Sequence, residues 1–476
     1  MTVIDCLLEL YVVGGSSSVS KGSNHALSDT EKAPMSERSL HAIQRRFVIV
    51  RRLSAGLPVL LFLVVLVFQS RDFKKAYSSS QHDLKAYVAC AHNILNGRHI
   101  YRTHHRPIPE DPTLGKSPPR YLYPPLLGIL LIPLTLLSFD IIRQIWFFAN
   151  FFFVLHTAYL VVKVLPFRRA RAAAFFLVSA AAVGSDPFIW LIRTAQVDAC
   201  VMYLCTAGLY HFGCRRYLLA ASLVAVATWI KVTPGIFLLY FFLRGNFRFR
   251  CSAVITAIVP VVLQAAVCQE EFLYFFTDVL HHMPNLNRAP AMQSLWVLSS
   301  LLVIPYKKRA VFNCPECFDA LLFALKGIVA AISAAVLVRF KRGRPSLVYG
   351  FAVCSACSIL IVDFSWMMRF IANLITSAAL IYLIYDTSSR STKVALGVLG
   401  TLSIAVNNSF IWRKLLGPLD GWKSVFLCGP SLHALIALLL LGIAVIRRSE
   451  WIPLVQRLLD LLKNKVKRKR PTAERT

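Results

Sequence analysis

Acidic side chains are scarce in this chain. Only 23 Asp and Glu stand against 53 Lys and Arg among 476 residues, and charged residues of both signs make up 16%. The carboxylates nowhere cluster as a metal site would require, and no metal-ligand spacing occurs. A glycine-rich phosphate loop and a dinucleotide fingerprint are also missing. No resident cofactor and no metal ligand are therefore expected. Twelve cysteines are scattered, mostly within apolar segments where Cys behaves as a small hydrophobe. The tight pair Cys314-Pro-Glu-Cys317 is half a zinc site with no second pair, so it reads as a loop disulfide or two ordinary thiols.

What the chain has instead is apolar sequence. It is 57% hydrophobic, with a mean hydropathy of +0.59. Runs of membrane-spanning length recur from Leu53 to Ile446, more apolar surface than a soluble fold can cover, and this predicts an all-α polytopic membrane protein. Residues 53–68 follow Arg45, Arg46, Arg51 and Arg52 and precede no small-residue cleavage site, so they read as a first transmembrane helix and not a signal peptide. The net charge of +30 falls in short clusters between apolar segments: Arg215-Arg216, 244–250, 339–344, Arg447-Arg448 and 463–470. That is the positive-inside pattern, which argues against a nucleic-acid partner and for the bilayer. The last cluster also suits anionic lipid headgroups.

Charge then orders the chain. Residues 1–44, rich in Ser, Gly and charge, predict a disordered cytoplasmic tail, with Met35 as an alternative start. Residues 45–450 form the multispanning domain, and 451–476 a basic cytoplasmic tail. A first external loop covers 69–120 and a second external region 268–317. Segments 121–137 and 141–165 cannot both cross without placing the basic cluster at 168–171 outside; one of them is expected to fall short, giving about twelve net crossings with both termini inside. Residues 294–304 are too short to span at about 1.5 Å per residue. Residues 217–243 predict a helical hairpin bent at Lys231-Val-Thr-Pro234.

This topology gathers unusual polar groups on one face. Within the first loop, Leu84, Tyr87, Val88, Ala91, Ile94 and Leu95 recur at helical spacing, and Gly97 fits a C-terminal cap. This predicts an amphipathic interfacial helix with Asp83 at its start. Asp83 is either a helix cap or a general base placed where an acceptor meets a lipid donor. Asp198 begins a span, and Lys231 ends one. They are an ion pair or snorkelling groups, or else Lys231 faces a phosphate, with Arg193 serving the same anion. His281 and His282 are solvent-exposed or functional, and Ser294 after Gln293 fits an N-cap.

These pieces, in this order, resemble glycosyltransferase family 87. Asp83-Leu-Lys-Ala-Tyr87 followed by Gly97-x-x-x-Tyr101 is similar to that family's acidic first external loop, and Tyr121-Leu-Tyr-Pro-Pro-Leu126 to its lead-in to the second membrane segment. Gln196-Val-Asp198 resembles its Gly-Gln-x-Asp, with Ala195 where Gly is usual. Lys231-Val-Thr-Pro234 resembles its Lys-x-x-Pro, and Gln293-Ser294-Leu295 its Asn-Gln-Ser-Leu, with Met292 in place of Asn. After Ser365-Trp366 the family often continues to a His, where this chain has Met367, Met368 and Arg369; any role of that His is vacant here or moved to His281 or His282.

The resemblance implies a C-type membrane glycosyltransferase that takes a hexose, most often mannose, from a polyprenyl-phosphate donor to a lipid or glycan acceptor. It implies an inverting reaction on the external face of a plasma or inner membrane, with Asp83 as general base. Lys231 and Arg193 would hold the donor phosphate, while Tyr123, Gln196 and Asp198 would contact the sugar or support the loop. A transporter or flippase of an amphiphile is the competing class; it predicts inverted repeats, and the two halves of the sequence show no such symmetry.

Overall fold

The computed structural model describes residues 37–79, 81–101, 121–167, 170–280, 294–303, 314–339, 344–361, 367–387, 390–408, 415–416 and 428–448. Among them there is no strand: the fold is all helix. The first helix, α1 (Glu37–Tyr77), starts inside the segment assigned to the tail and runs on into the expected first loop. Leu57, Leu60, Leu63, Val67 and Phe68 on α1 lie exposed, a row that lipid solvates and water would not. Its other side packs on α5 (Arg171–Val183) and α6 (Asp186–Thr194).

Among the described residues, four helices are long and apolar enough to cross a membrane: Gly56–Tyr77, Phe139–Val164, Phe247–Val279 and Phe318–Leu337. The pair α5 and α6, bent by 61°, makes a fifth if it is one broken span. Length and composition thus support fewer crossings than the twelve expected from charge alternation. The difference lies in apolar segments that stop early, such as Tyr217–Ile230 and Gly235–Arg244. The ambiguous 121–165 region resolves by length. Leu126–Leu136 is the short element, while Phe139–Val164 is a full rod (α4).

The predicted boundary at 267/268 coincides with a real break, at Cys268, whose φ of −152° and ψ of 62° are not helical. The chain nevertheless resumes as helix through Tyr274, so the start of the segment expected to be a second external region is helical and not a loop. Leu295–Val303 has nine residues, too few to span, and Ser294 Oγ caps it by accepting from Val297 N at 3.3 Å. Cys314 and Cys317 are joined in a disulfide at the start of Phe318–Arg339. Both terminal tails fall largely outside the described residues.

Breaks in apolar helices leave backbone groups that water cannot reach, and side chains supply the partners. Between α5 and α6 the sequence Gly184-Ser185-Asp186-Pro187 ends one helix and starts the next, with Pro at the first turn. Gly184 O accepts from Asn408 Nδ2 at 2.6 Å and from Gln69 Nε2 at 3.4 Å, and Asp186 N donates to Asn407 O at 3.1 Å. Asn407 and Asn408 follow Arg390–Val406, whose neighbours Asn373–Asp386 and Gly429–Arg448 share a buried polar knot. There Ser403 Oγ meets His433 Nδ1 at 2.8 Å, and Thr376 and Ser377 meet its Nε2 at 3.2 Å. Those three helices thereby hold the bent pair from behind.

The loop helix α2 (His82–Leu95) is more deeply embedded than an interfacial helix needs to be. Leu84, Ala86, Tyr87, Val88, Ala89, Cys90 and Ala91 are all buried, against α3 (Leu126–Leu131) and the 3-10 turn after it. It ends at Gly97, φ 62°, where Arg98 N donates to Asn93 O at 2.8 Å and Gly97 N to Ile94 O at 3.1 Å, the glycine stop expected from sequence. Close approach of α2 and α3 requires Gly128, since a Cβ there would collide with Cys90 Sγ and Ile94 Cδ1. A Gly128→Val variant is therefore expected to lose about 1–3 kcal/mol, read as a lower unfolding midpoint of the detergent-extracted protein. A midpoint equal to the parent's would mean that α2 is not clamped by this contact.

Candidate active site

Two helix ends meet at the site. The first is the end of α6. Its last residues, Leu191-Ile192-Arg193-Thr194, are followed by Ala195 with a φ of 55°. Gln196 N returns to Leu191 O at 3.1 Å and Ala195 N to Ile192 O at 3.3 Å, the double bond of a left-handed stop. This explains why a family pattern has glycine at that position. Ala195 bears a Cβ in a conformation that costs an L-residue about 1–2 kcal/mol, and the turn keeps it because it throws Gln196 inward. Gln196 and Asp198, which opens α7 (Asp198–Gly213), are both buried.

The second is the C-terminal end of α8 (Tyr217–Ile230). Lys231 leaves the helix in extended conformation before Thr233-Pro234 turns the chain into α9 (Gly235–Arg244). Its side chain is 5% exposed and its Nζ donates to both Asp198 oxygens, at 2.7 and 2.8 Å. Of the readings open for these residues, the ion pair is made. The same ammonium lies 5.2 Å from the centre of the Tyr123 ring, a cation–π contact.

Asp83 comes to this group from α2. It sits in the first turn of that helix, where a carboxylate suits the helix dipole. The cap position belongs to Gln81, and the Asp83 carboxylate turns to the site: Gln196 Nε2 donates to its Oδ2 at 2.5 Å. Gln196 Oε1 in turn accepts from Tyr87 at 2.8 Å and Tyr123 at 3.2 Å. One amide thus ties the loop helix, the segment before α3 and the α6–α7 turn together. Burial lifts the Asp83 carboxyl from its ordinary 3.8 to about 6, with the Gln196 hydrogen bond and the Lys231 charge pulling the other way. Near neutrality that leaves an ionised carboxylate of raised basicity.

Aromatic rings wall the group. Tyr87 stands edge-on to Tyr123 at 5.7 Å, and Trp146 of α4 lies 6.0 Å from Tyr87. Tyr101 donates to Tyr123 O at 2.7 Å. After the break at Cys268, buried Glu271 accepts from Ile100 N at 3.4 Å and meets His99 Nδ1 at 2.6 Å, fastening the end of the first loop to the long helix. Gln264 of that helix accepts from Leu126 N at 2.9 Å and donates to Pro260 O at 2.9 Å.

Of the residues singled out from sequence, Asp83, Tyr123, Gln196, Asp198 and Lys231 thus converge. Arg193 does not join them: it is exposed, with its guanidinium 4.9 Å from the Trp190 ring. The α6 stop explains why, since it turns Gln196 inward three residues after an outward Arg193. His281, His282 and Gln293 lie outside the described residues. The structure adds Arg369, which lines a small cavity with Asp198 and Thr233. Only its position after Ser365-Trp366 marked it in the sequence.

The profile of glycosyltransferase family 87 matches residues 121–365, half of the chain. The chain belongs to glycosyltransferase family 87. It is a membrane glycosyltransferase. Tyr123, Gln196, Asp198, Lys231 and the cavity-lining Thr233 fall inside the stretch that matches the family; Asp83 and Tyr87 lie outside it and reach the site through tertiary packing. The chain is also similar to the polyprenol-phosphate-mannose-dependent alpha-(1-2)-phosphatidylinositol pentamannoside mannosyltransferase of Mycobacterium tuberculosis (strain CDC 1551 / Oshkosh). The identity is 28% over 164 residues, 34% of this chain. The alignment spans 37% of that relative's length.

Two sets of variants test this architecture. Ala195→Gly is expected to stabilise the protein by about 1 kcal/mol by relieving the left-handed Cβ; a lower unfolding midpoint would contradict the strain. Lys231→Met alone is expected to cost about 3–5 kcal/mol by stranding the Asp198 charge, and Lys231→Met with Asp198→Leu to recover most of it. Additive losses in such a double-mutant cycle would show that the two charges are not coupled.

Proposed function

We propose that this glycosyltransferase moves a hexose, mannose in the first instance, from a polyprenyl-phosphate donor to a hydroxyl of a lipid or glycan acceptor, on the external face of the membrane and with inversion. The observation that carries the reading is the Asp83–Gln196 hydrogen bond, which brings a carboxylate of raised basicity from the loop helix onto the stretch that matches the family, beside a buried lysine. The mannose assignment draws on the similarity to the mycobacterial mannosyltransferase.

In the reaction the acceptor hydroxyl approaches the anomeric carbon from the Asp83 side. Its oxygen forms the new C1–O bond, its proton passes to the Asp83 carboxylate, and the electron pair of the old C1–O bond leaves with the lipid phosphate. The departing phosphate gains one negative charge, which Lys231 is near enough to stabilise without solvent reorganisation. Gln196, fixed by two tyrosines, orients the base, and Tyr123 offers a ring and a hydroxyl to the sugar. An Asp–Lys pair would equally suit a transporter of an amphiphile. The bond from Asp83 to Gln196 has no part in transport, and it favours transfer.

The test is transfer of radiolabelled mannose from polyprenyl-phosphate mannose in membranes carrying the parent chain, Asp83→Ala or Asp83→Asn. Both variants are expected to lose about 10²–10⁴-fold in rate. The working base is the ionised form, so the parent rate should rise as pH climbs through about 6 and level off above it. Parent-like transfer by a folded Asp83→Ala variant would remove Asp83 from the mechanism.

A further inference from the structure

The long helix Phe247–Tyr274 carries two adjacent carboxylates, Glu270 and Glu271, just beyond its break at Cys268. Glu270 is exposed, whereas Glu271 is 7% exposed. A buried carboxylate is costly unless hydrogen-bonding partners hold it. Both oxygens of Glu271 have a partner on the segment that leaves α2: Oε1 meets His99 Nδ1 at 2.6 Å, and Oε2 accepts from Ile100 N at 3.4 Å. His99 and Ile100 follow closely on the Gly97 stop, so this carboxylate holds the first stretch of chain after the loop helix. The transfer mechanism above makes no use of it.

What this clasp holds in place is Tyr101. That residue is buried, with its ring centre 5.9 Å from those of Tyr121 and Tyr274 and 6.3 Å from that of Phe275. Tyr274 follows Glu271 at the spacing that puts two side chains on one face of a helix. Its hydroxyl donates to Asp278 Oδ2 at 2.6 Å, inside the π-helical turn Phe275–Val279. Carboxylate and rings thus come from one stretch after the break and grip one short stretch of the loop. Tyr101 in turn donates to Tyr123 O at 2.7 Å, and the Tyr123 hydroxyl donates to Gln196 Oε1. The contacts form a line from Glu271 through His99, Ile100 and Tyr101 to the ring that faces the Lys231 ammonium.

A clamp that serves only stability is the competing account. Against it, α2 and α3 are already joined by a buried apolar face that closes at Gly128, and Leu126 N is already tied to Gln264 on the other side of the break. The His99 side chain is 49% exposed, so its contact with Glu271 adds little to stability. We propose that Glu271 is a positioning residue for the transfer reaction: by holding His99 and Ile100 it sets Tyr101, and through Tyr101 it sets Tyr123 against Gln196 and Lys231, without touching either substrate. This rests on the reading of Tyr123 as a residue that meets the donor sugar.

The experiment measures kcat and the donor KM for mannose transfer from polyprenyl-phosphate mannose, with the unfolding midpoint of each detergent-extracted variant taken in parallel. Glu271→Ala is expected to raise the donor KM roughly tenfold, the loss of a hydrogen bond to a charged group. The change in kcat should be smaller, because Asp83 keeps its bond to Gln196. Glu271→Gln should restore most of the parent KM, since an amide can accept from Ile100 N and donate to an imidazole nitrogen. Tyr101→Phe keeps the ring packing, drops the bond to Tyr123 O and should raise the donor KM as well. The double variant Glu271→Ala with Tyr101→Phe should have about the KM of Glu271→Ala alone, because both changes cut one line of contacts.

A parent-like donor KM in a folded Glu271→Ala variant would overturn this inference and leave Asp83 and the donor class intact. Effects that multiply in the double variant would overturn it too, since independent structural losses behave in that way. Should Glu271→Ala not fold, Tyr101→Phe decides: a raised KM at an unchanged unfolding midpoint supports the line of contacts, and a parent-like KM overturns it. Absence of transfer from this donor by the parent chain would overturn the donor class, and this inference with it.

Discussion

A buried carboxylate facing a buried ammonium is the constraint on which the site depends. Neither Asp198 nor Lys231 has enough water to be charged alone, so each is tolerable only against the other. Their bond pulls the first turn of α7 onto the end of α8. That in turn fixes Gln196, two residues earlier, where its amide meets Asp83 on one side and the hydroxyls of Tyr87 and Tyr123 on the other. The loop helix, the segment before α3 and the α6–α7 turn are registered through this one amide, and it is itself registered by the pair.

The site lies where helices stop, and that is a consequence of the medium. An interrupted helix in apolar surroundings needs side-chain partners for its open backbone groups, and two places here show them. Gly184 O is served by Asn408 and Gln69, and the chain entering α3 by Gln264. The cost of a break is met locally, and in return the chain places side chains that a continuous helix would turn to its neighbours or to lipid. The left-handed Ala195 is the sharpest case. A strained residue ends α6 so that the next side chain turns into the site.

How much of this was legible in the sequence differs residue by residue. Asp83 was readable as cap or base because its neighbours have helical spacing; the fold gives the cap position to Gln81 and turns the Asp83 carboxylate to Gln196. The Ala195-Gln196-Val197-Asp198 stretch was readable as a motif but not as a turn, since Ala does not signal positive φ as Gly does. Arg193 and Arg369 invert the expectation. Arg193 is next to the motif in sequence but is turned out by the helix stop, while Arg369, some 170 residues beyond it along the chain, reaches the cavity because its 3-10 turn packs on α6 and α7. The helices among the described residues do not confirm the twelve crossings, for a related reason: charge alternation counts apolar segments, and it does not register that several of them end after a few turns.

The sequence by itself determined the class of solvent and the class of element. Its apolar runs and scattered basic clusters demand a bilayer, and a bilayer demands backbone that satisfies itself, hence helices. It also carried the ordered motifs that mark the family. Tertiary structure alone decided which polar groups share a site, because groups as far apart along the chain as Asp83, Gln196, Lys231 and Arg369 meet only through helix packing. Burial decided the rest: it forces Asp198 onto Lys231 and raises the Asp83 carboxyl toward the range in which a base is useful, and burial is a property of the packed fold, not of the residue.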